Sequence, residues 1–402
     1  MTAQPMPNLS LVVLSMACFE SVNRTVYRLL QSEYGIPVHL VIPSSLDFPG
    51  GSKEPVDNPD EILAITKLPI SSLHPRLQVF RGAGAVVSGL RPTHILVDSD
   101  PASLMSVVAS GWARRLDAKL WTITCENLPR NYLREALGGL GKASPRAFIS
   151  GLLNQMFLRA CRSRVDQVFT ISQDGTQAME ALGFRGRITQ MPLGFDTAIF
   201  NPQGAQRIAE TKTRLGVNQP VVAYFGRIAP EKGVDLLVHA LANLLDQPWQ
   251  LLLDDFDRYR SPYQAKIRSL LESTGVAKRT VFFHSNHHDI ADYMNAADIV
   301  VLPSVSTPKW KEQYGRVIPE AMACGKVVVG SRSGTLPELI GECGFVFPEG
   351  DVGQLQALIA KLLVMPREAL SEIGMKAHHH ALLHLSAGRQ AEILFRQLVD
   401  NN

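Results

Sequence analysis

Two cations lie in a short loop bounded by glycines near the middle of the chain. The stretch Tyr224-Phe-Gly-Arg-Ile-Ala-Pro-Glu-Lys-Gly233 starts as an apolar strand, turns at Gly226 and presents Arg227 and Lys232 before a helical pattern begins. Such a pair at the carboxyl end of a strand, beside a helix N-terminus, suits an anionic group such as a diphosphate. Taken alone, the stretch also fits a β–α loop whose surface cations bind nothing.

A second stretch combines two acids, a glycine and the start of a helix. It reads Glu312-Gln-Tyr-Gly-Arg-Val-Ile-Pro-Glu320, and the helix is expected to follow Gly315. The backbone N–H groups of Arg316 and Val317 would then be unpaired donors aimed at phosphate oxygens. Glu320, one turn into the helix, suits two adjacent hydroxyls such as those of a ribose, and Glu312 reaches another part of the same ligand. The alternative is a capped surface helix with incidental acids.

The elements that must position these residues alternate along the whole chain. Continuous apolar runs such as Lys119–Thr124 are separated by helical patterns such as Pro262–Thr274, which predicts parallel strands buried on both faces. The polar stretch 201–220 separates two such series. We therefore predict an α/β protein of two doubly wound domains, with its chemistry beyond the carboxyl ends of the strands, in a cleft between them.

Composition narrows the class of protein. The chain has 402 residues, 46% of them hydrophobic and 19% charged, which is ample for two or three packed domains. Lysine and arginine number 40 against 37 acids, so a strongly basic nucleic-acid binder is excluded. Five scattered cysteines without a C-x-x-C pair argue against a disulfide scaffold or a zinc site. With neither a spanning apolar run nor a basic N-terminal leader, we expect a cytoplasmic protein.

Two segments stand apart from the alternating pattern. The segment 44–58, rich in proline, glycine and serine, is predicted to be a loop. The segment 130–164 carries seven lysines and arginines among leucine, phenylalanine and methionine. It is interpreted either as a helical excursion packed on the first domain with its basic face in water, or as a peripheral contact with an anionic membrane surface.

Five blocks in a fixed order carry a resemblance to a known family. They are Gly194-Phe-Asp-Thr-Ala-Ile-Phe-Asn-Pro202, Gly226-Arg227 with Lys232-Gly233, Val301-Leu-Pro-Ser304, the Glu312 and Glu320 pair with Ala321-Met-Ala-Cys-Gly325, and Ser333-Gly-Thr-Leu-Pro-Glu-Leu-Ile340. Together they resemble the retaining nucleotide-sugar glycosyltransferases of family 4, which have the GT-B fold. The resemblance is dense over residues 191–347 and diffuse across the first half of the chain.

The resemblance implies two Rossmann-like domains facing a cleft, and transfer of a sugar from a nucleotide diphosphate-sugar to an acceptor hydroxyl with retention of configuration. Its acceptor would be a glycan or a lipid-linked molecule of cell-envelope polysaccharide or glycolipid synthesis. It implies no metal ion and no other cofactor, because the cations and the helix N-terminus replace the divalent ion that otherwise stabilises a departing diphosphate. It implies no nucleic-acid partner.

The same resemblance assigns roles to individual residues. Arg227 and Lys232 would neutralise the donor diphosphate, Glu312 would contact the sugar near its reacting carbon, and Glu320 would hold the ribose. The expected catalytic set is Glu312, Arg227 and Lys232. The expected donor site combines these two cations with Gly226, Gly315, Arg316, Val317 and Glu320.

The expected domains are residues 1–205 on the acceptor side and 206–385 on the donor side. The apolar C-terminal helix over 386–402 is predicted to return to the first domain. The acceptor-side motifs of the family are missing, and Thr122-Ile-Thr-Cys-Glu-Asn127 stands where many members carry a histidine. Polar residues at predicted strand ends are therefore the candidates for acceptor contacts, or else loop caps: Asp98, Asp100, Glu126 and Asn127.

Other short motifs in the sequence match metal or dinucleotide sites only weakly. Asp98-Ser-Asp100 and Asp255-Phe-Asp257 match a short metal-binding pattern that is frequent by chance. Gly82-Ala-Gly-Ala lacks the third glycine of a dinucleotide site, and two histidine groups have loose metal-ligand spacing: His284, His287 and His288, and His378–His380 with His384. The rival functions are a non-catalytic sugar-nucleotide-binding subunit and an epimerase or phosphorylase of the same architecture.

Overall fold

The chain folds into two compact units, one formed by residues 1–194 with 387–402 and the other by residues 195–386. The computed structural model describes residues 9–48, 51–56, 60–71, 74–141, 144–254, 261–284 and 289–400. Within these ranges no helix is both long and apolar enough to cross a bilayer.

The first unit is built on a seven-stranded parallel sheet in the order β5-β2-β1-β6-β7-β8-β9. The strands of this unit, of which β3 and β4 form a separate pair, are β1 (Leu11–Ser15), β2 (Val38–Pro43), β3 (Leu46–Phe48), β4 (Gly51–Lys53), β5 (Ala64–Leu68), β6 (His94–Asp98), β7 (Lys119–Thr124), β8 (Gln167–Thr170) and β9 (Arg187–Gln190). Its helices are α1 (Thr25–Ser32), α2 (Ala83–Leu90), α3 (Leu104–Leu116), α4 (Tyr132–Gly141), α5 (Pro145–Cys161), α6 (Gln173–Ala181) and, from the end of the chain, α15 (Ala387–Asp400).

The second unit is built on a six-stranded parallel sheet in the order β12-β11-β10-β13-β14-β15. Its strands are β10 (Val221–Tyr224), β11 (Gln250–Asp254), β12 (Thr280–Phe283), β13 (Ile299–Leu302), β14 (Val327–Ser331) and β15 (Phe345–Phe347). Its helices are α7 (Ala205–Leu215), α8 (Val234–Ala242), α9 (Pro262–Thr274), α10 (Ile290–Ala296), α11 (Val317–Ala323), α12 (Leu336–Ile340), α13 (Val352–Leu363) and α14 (Arg367–His384).

The prediction of two doubly wound parallel sheets is confirmed. The central strands β1, β10, β13 and β14 are buried along their whole length, as continuous apolar runs require. In each sheet the strand order reverses direction once, between β1 and β6 in the first unit and between β10 and β13 in the second. Such a switch point leaves a crevice beyond the carboxyl ends of the two strands, where ligands of doubly wound sheets bind.

Two sequence expectations are wrong. The segment 44–58 is not simply a loop, because β3 and β4 pair in it as an antiparallel hairpin. The polar stretch 201–220 contains α7, in which Thr211 is the one buried residue and most of the helix faces water. Its composition therefore matches that of a linker although its backbone is helical.

The chain passes between the units earlier than residue 205, where the domain boundary was expected. Phe195 donates its N–H to the carbonyl of Leu385, and Asn295 on α10 holds the carbonyl of Asn201. These contacts tie the segment 195–203 to the second unit. Helix α15 groups with the first unit, where it packs on α1, its Leu394 and Leu398 are buried, and Phe395 stacks on Tyr34.

Candidate active site

The loop after β10 carries the predicted cation pair, and its two cations have different surroundings. The Tyr224 hydroxyl donates to the Arg227 carbonyl at 2.7 Å, which fixes the start of the loop after the turn at Gly226. The Arg227 side chain is 69% exposed and lies 3.4 Å from Glu231. Lys232, by contrast, ends a short 3-10 turn and points inward.

Lys232 forms a buried ion pair with Glu312. Its Nζ lies 2.6 Å from Glu312 Oε2, and the two side chains are only 14% and 5% exposed. The Ser304 hydroxyl donates to the same carboxylate oxygen at 2.7 Å, and the Trp310 ring lies 5.1 Å from the ammonium. Two residues predicted from separate motifs are thus brought into direct contact, which shows that the loops after β10 and β13 meet.

Gly233 explains how closely these loops approach. Its φ is +64°, and a Cβ built there would lie 2.0 Å from the carbonyl oxygen of Pro303, the first residue after β13. Only glycine combines this left-handed backbone with the close contact. The N–H of Val305 also donates to the Glu231 carbonyl at 2.9 Å.

Helix α11 begins at Val317, as predicted, directly after the turn at Gly315. Arg316 Nε lies 3.4 Å from Glu320 Oε1 across the first turn of this helix. Burial raises the pKa of Glu320 from 4.5 to about 7, and Arg316 only partly opposes that effect. The carboxyl group proposed to hold a ribose therefore titrates near neutral pH.

These groups share one edge of the sheet. Lys232 follows β10, Glu312 and Glu320 lie between β13 and β14, and β10 and β13 are the neighbours at the switch point. The edge presents an ammonium, two carboxylates and the start of α11, with Arg227 in solvent beside it. This arrangement can bind an anionic ligand that also carries hydroxyl groups.

The four acceptor-side candidates lie at the corresponding edge of the first unit, and the three acids among them already have partners. Asp98 accepts a hydrogen bond from Ser15 at 2.6 Å, and burial raises the pKa values of both Asp98 and Asp100. Arg76 lies 2.8 Å from Asp100 and 3.3 Å from Glu126. Asn127 is buried.

Several residues of these two edges were not predicted from the sequence. Arg76 lies in the loop between β5 and α2, where no motif marks it, yet it bridges two predicted carboxylates and lies 4.9 Å from the Tyr132 ring. Ser304 and Ser333 were inside recognised blocks but had no assigned role. Trp310 has no sequence signal, because its position over Lys232 depends on the path of a loop.

The residues of the rejected metal motifs are partly described. Asp98 and Asp100 bond to Ser15 and Arg76, and the His378 ring contacts the Ala323 carbonyl. Two of the histidines, His287 and His288, lie outside the described residues, as does the whole Asp-x-Asp pattern after β11 with Asp255 and Asp257. Independence from metal ions stays a prediction.

The fold of the two units is the GT-B architecture of solved glycosyltransferases. The Anabaena protein HepE in complex with UDP and glucose matches 98% of this chain and 100% of its own, with a TM-score of 0.70 at 19% identity. Sucrose-phosphate synthase from Thermosynechococcus elongatus matches 98% of this chain and 100% of its own, with a TM-score of 0.68 at 19% identity. The predicted GT-B architecture is thereby confirmed.

Sequence similarity is concentrated in the second unit. Residues 206–379 match the family model of the glycosyl transferases group 1, a range that contains the Lys232, Glu312 and Glu320 motifs. A GDP-mannose-dependent α-(1-6)-phosphatidylinositol monomannoside mannosyltransferase from Mycolicibacterium smegmatis is 31% identical over 208 residues, 50% of this chain and 53% of that protein. A D-inositol 3-phosphate glycosyltransferase from Corynebacterium efficiens is 31% identical over 204 residues, 48% of this chain and 47% of that protein. The chain spans about half the length of these curated relatives.

Proposed function

We propose that this protein is a retaining family 4 glycosyltransferase, which moves a sugar from a nucleotide diphosphate-sugar to an acceptor hydroxyl. The observation that carries the proposal is the buried Lys232–Glu312 pair at the switch point of the second sheet, inside the segment that matches the group 1 family. The names of the relatives support a sugar-nucleotide donor, since one is GDP-mannose-dependent and HepE was solved with UDP and glucose.

In this proposal the second unit holds the donor. Lys232, with Arg227 from the loop surface, neutralises the diphosphate, and the N–H groups of Arg316 and Val317 face its oxygens. Glu320 accepts hydrogen bonds from the ribose hydroxyls, and Glu312 contacts the sugar near its reacting carbon. Each charge-assisted hydrogen bond is worth about 1.5–3 kcal/mol, so a few of them stabilise the leaving diphosphate substantially without a metal ion.

The reaction itself needs no dedicated base. The bond between the anomeric carbon and the phosphate oxygen breaks, and the acceptor oxygen forms a new bond on the same face through an oxocarbenium-like state. The acceptor proton passes to the leaving phosphate oxygen. Asp98, Asp100, Glu126 and Asn127 of the first unit are proposed to contact acceptor hydroxyls, for which Arg76 must yield some of its contacts.

A first experiment tests donor binding and metal dependence. Thermal shifts are measured with UDP-, GDP- and ADP-sugars, because a ligand at about 100 times its dissociation constant adds about 2.7 kcal/mol of stability. Transfer with the binding donor should be equal in EDTA and in Mg²⁺. Loss of transfer in EDTA would contradict the metal-free mechanism, and donor turnover without acceptor would indicate an epimerase instead.

Substitution of Lys232 tests the site directly. We expect Lys232→Ala to lower kcat/KM by 10²–10³-fold, about 3–4 kcal/mol, by analogy with removal of one oxyanion donor. The control is Lys266→Ala, since Lys266 is an exposed lysine paired with Asp235 on α8. Unchanged transfer in Lys232→Ala would favour a non-catalytic binding subunit.

We also propose that α4 and α5 contact an anionic membrane at the cytoplasmic face, where a lipid-linked acceptor of envelope glycan or glycolipid synthesis would lie. Both helices expose apolar side chains at helical spacing: Leu133, Leu137, Ile149, Leu152 and Met156. Exposed arginines accompany them: Arg134, Arg159, Arg162 and Arg164. Apolar side chains and cations on one helical surface are typical of peripheral membrane contacts.

Vesicle sedimentation tests the membrane contact. We expect binding to phosphatidylglycerol vesicles that weakens with salt and in Ile149→Ser/Met156→Ser, with little binding to phosphatidylcholine. Leu383→Ser, which removes an exposed leucine of the second unit, is the matched control. Equal sedimentation of all three proteins, or self-association through this surface without vesicle binding, would contradict the contact.

A further inference from the structure

We infer that Glu349, a residue outside every motif considered above, is a positioning residue for Glu312 and Lys232. It lies two residues beyond β15 and acts through Ser306 and Ser333. The inference rests on the proposed function, because it concerns the same site.

The loop that carries Glu312 has little local structure of its own. Residues 303–315 contain no helix or strand, and the turn closed by Thr307 and Trp310 spans only a few residues. Yet this loop must hold Glu312 against Lys232 with an Nζ–Oε2 distance of 2.6 Å. Its position must therefore come from hydrogen bonds to neighbouring loops.

Glu349 supplies a two-point attachment for this loop. Its Oε2 accepts the Ser306 backbone N–H at 2.6 Å, and its Oε1 accepts the Ser306 hydroxyl at 2.8 Å. Both bonds need an acceptor at residue 349, and an ionised carboxylate offers one on each oxygen. Charged acceptors also make shorter and stronger hydrogen bonds than neutral ones.

The attachment continues from Ser306 to Glu312. The Ser306 and Ser333 hydroxyl oxygens are 2.9 Å apart, and Ser333 Oγ accepts the Glu312 N–H at 3.4 Å. Because the Ser306 hydrogen already points to Glu349, the Ser333 hydroxyl must donate to Ser306. All donors then point the same way, from Glu312 through Ser333 and Ser306 to the Glu349 carboxylate. Hydrogen bonds aligned in this way strengthen one another.

The direction of this chain predicts what a neutral amide would do. In Glu349→Gln one oxygen still accepts, but the amide NH₂ faces a second donor of Ser306 and one bond is lost. Glu312 would remain close to Lys232 but would be less precisely held. Misplacement of a reacting group by a fraction of its contact distance lowers the rate rather than the ground-state affinity.

The test is a double-mutant cycle on transfer kinetics with the donor found in the thermal-shift panel. We expect Glu349→Gln to lower kcat roughly 10- to 100-fold with a smaller change in the KM for donor. Ser333→Ala breaks the same chain nearer to Glu312, so adding it to Glu349→Gln should cost less than the product of the two single effects. The control is Glu342→Gln, because Glu342 is an exposed acid three residues before β15. This substitution should leave kcat unchanged, both alone and when it is combined with Ser333→Ala.

The outcomes separate this inference from the proposed function. If the unsubstituted protein neither binds nor transfers from any sugar nucleotide, both are overturned. If it transfers normally and Glu349→Gln does too, or if the two effects simply multiply, the positioning role alone is overturned. A general loss of folding would appear as a lower unfolding temperature and fewer active molecules, and the active fraction, measured by donor titration, corrects kcat for it.

Discussion

The ammonium of Lys232 is paired with a carboxylate of the protein, although in the proposed function it must also bind a diphosphate. Glu312, whose carboxylate also accepts a hydrogen bond from Ser304, holds the ammonium in place within the protein, while a donor diphosphate would need it as a counter-ion. Breaking a buried ion pair by removing one partner typically costs about 3–5 kcal/mol, so the diphosphate must replace what Glu312 supplies. In the proposed function, the pair would keep the buried ammonium paired until the donor diphosphate binds, and Glu312 would then lie next to the sugar.

Glu320 gives the proposed donor site a pH dependence. Its pKa of about 7 means that it is mostly neutral at pH 6 and mostly ionised at pH 8. The ionised form accepts both ribose hydroxyls, so we expect the affinity for a sugar nucleotide to rise about tenfold over this range. Calorimetric titration at pH 6, 7 and 8 measures it.

Glu320→Gln is the control for that titration, and its affinity should vary little with pH. The effect of Glu320 on folding stability has the opposite pH dependence from its effect on donor affinity. Because the folded-state pKa lies above 4.5, the unfolded chain releases the proton first, and this carboxyl group destabilises the fold progressively as pH rises from 4.5 to 7. Affinity that falls as pH rises would contradict the ribose role.

Loops at strand ends, rather than single side chains, bring the site together. Gly233 is the point where the loop after β10 touches Pro303 of the loop after β13. We expect Gly233→Ala to push these loops apart, lowering the free energy of unfolding by about 1–3 kcal/mol and reducing transfer at least as strongly as Lys232→Ala.

Gly216→Ala is the matched control for this loop contact. Gly216 ends α7 at a φ of +68°, but nothing lies within 4 Å of a Cβ placed there. The Gly216→Ala variant therefore measures only the free-energy cost of placing alanine on a left-handed backbone. Chemical denaturation measures the free energy of unfolding of both variants, and a transfer assay measures their rates. Equal losses of stability and rate in the two would show that the Pro303 contact has no special importance.

The regular elements were predictable where local signals agree. Helix α9 has the predicted bounds, since Ser261 and Gln264 form a capping box, Pro262 opens the helix and Gly275 ends it. Strand β7 also has its predicted bounds. Helix α7 was missed because its sequence is mostly polar.

The candidate site was predictable only one motif at a time. Lys232, Glu312 and Glu320 could be proposed from their local sequence, since loops after parallel strands share an edge. The residues that hold these side chains, their loops and the acceptor-side acids in place could not be predicted. Arg76, Trp310 and Glu349 lie far along the chain from the residues they contact, and no local pattern marks a contact that depends on where two loops meet.

In the whole molecule, the first unit depends on the last helix of the chain. Leu394 of α15 is fully buried, and the helix packs on α1. We expect Leu394→Ala to lower the free energy of unfolding of the first unit by about 2–5 kcal/mol. Urea unfolding followed by hydrogen exchange in peptides of each unit measures this loss.

Val399→Ala provides the comparison, because Val399 lies on the exposed side of the same helix. It should change stability by less than about 0.5 kcal/mol. Peptides of the second unit should keep their protection in both variants. If Leu394→Ala lowered the protection of peptides from both units equally, α15 would not stabilise the first unit specifically.

The position of α15 also orders events on the ribosome. Residues 1–194 are translated before the second unit, yet the helix that packs on one side of α1 is translated only after it. The nascent first unit must wait for it with that side of α1 uncovered, while the second unit has all of its strands and helices in one continuous stretch. The second unit can thus complete its fold before the first, although most of the first is translated earlier.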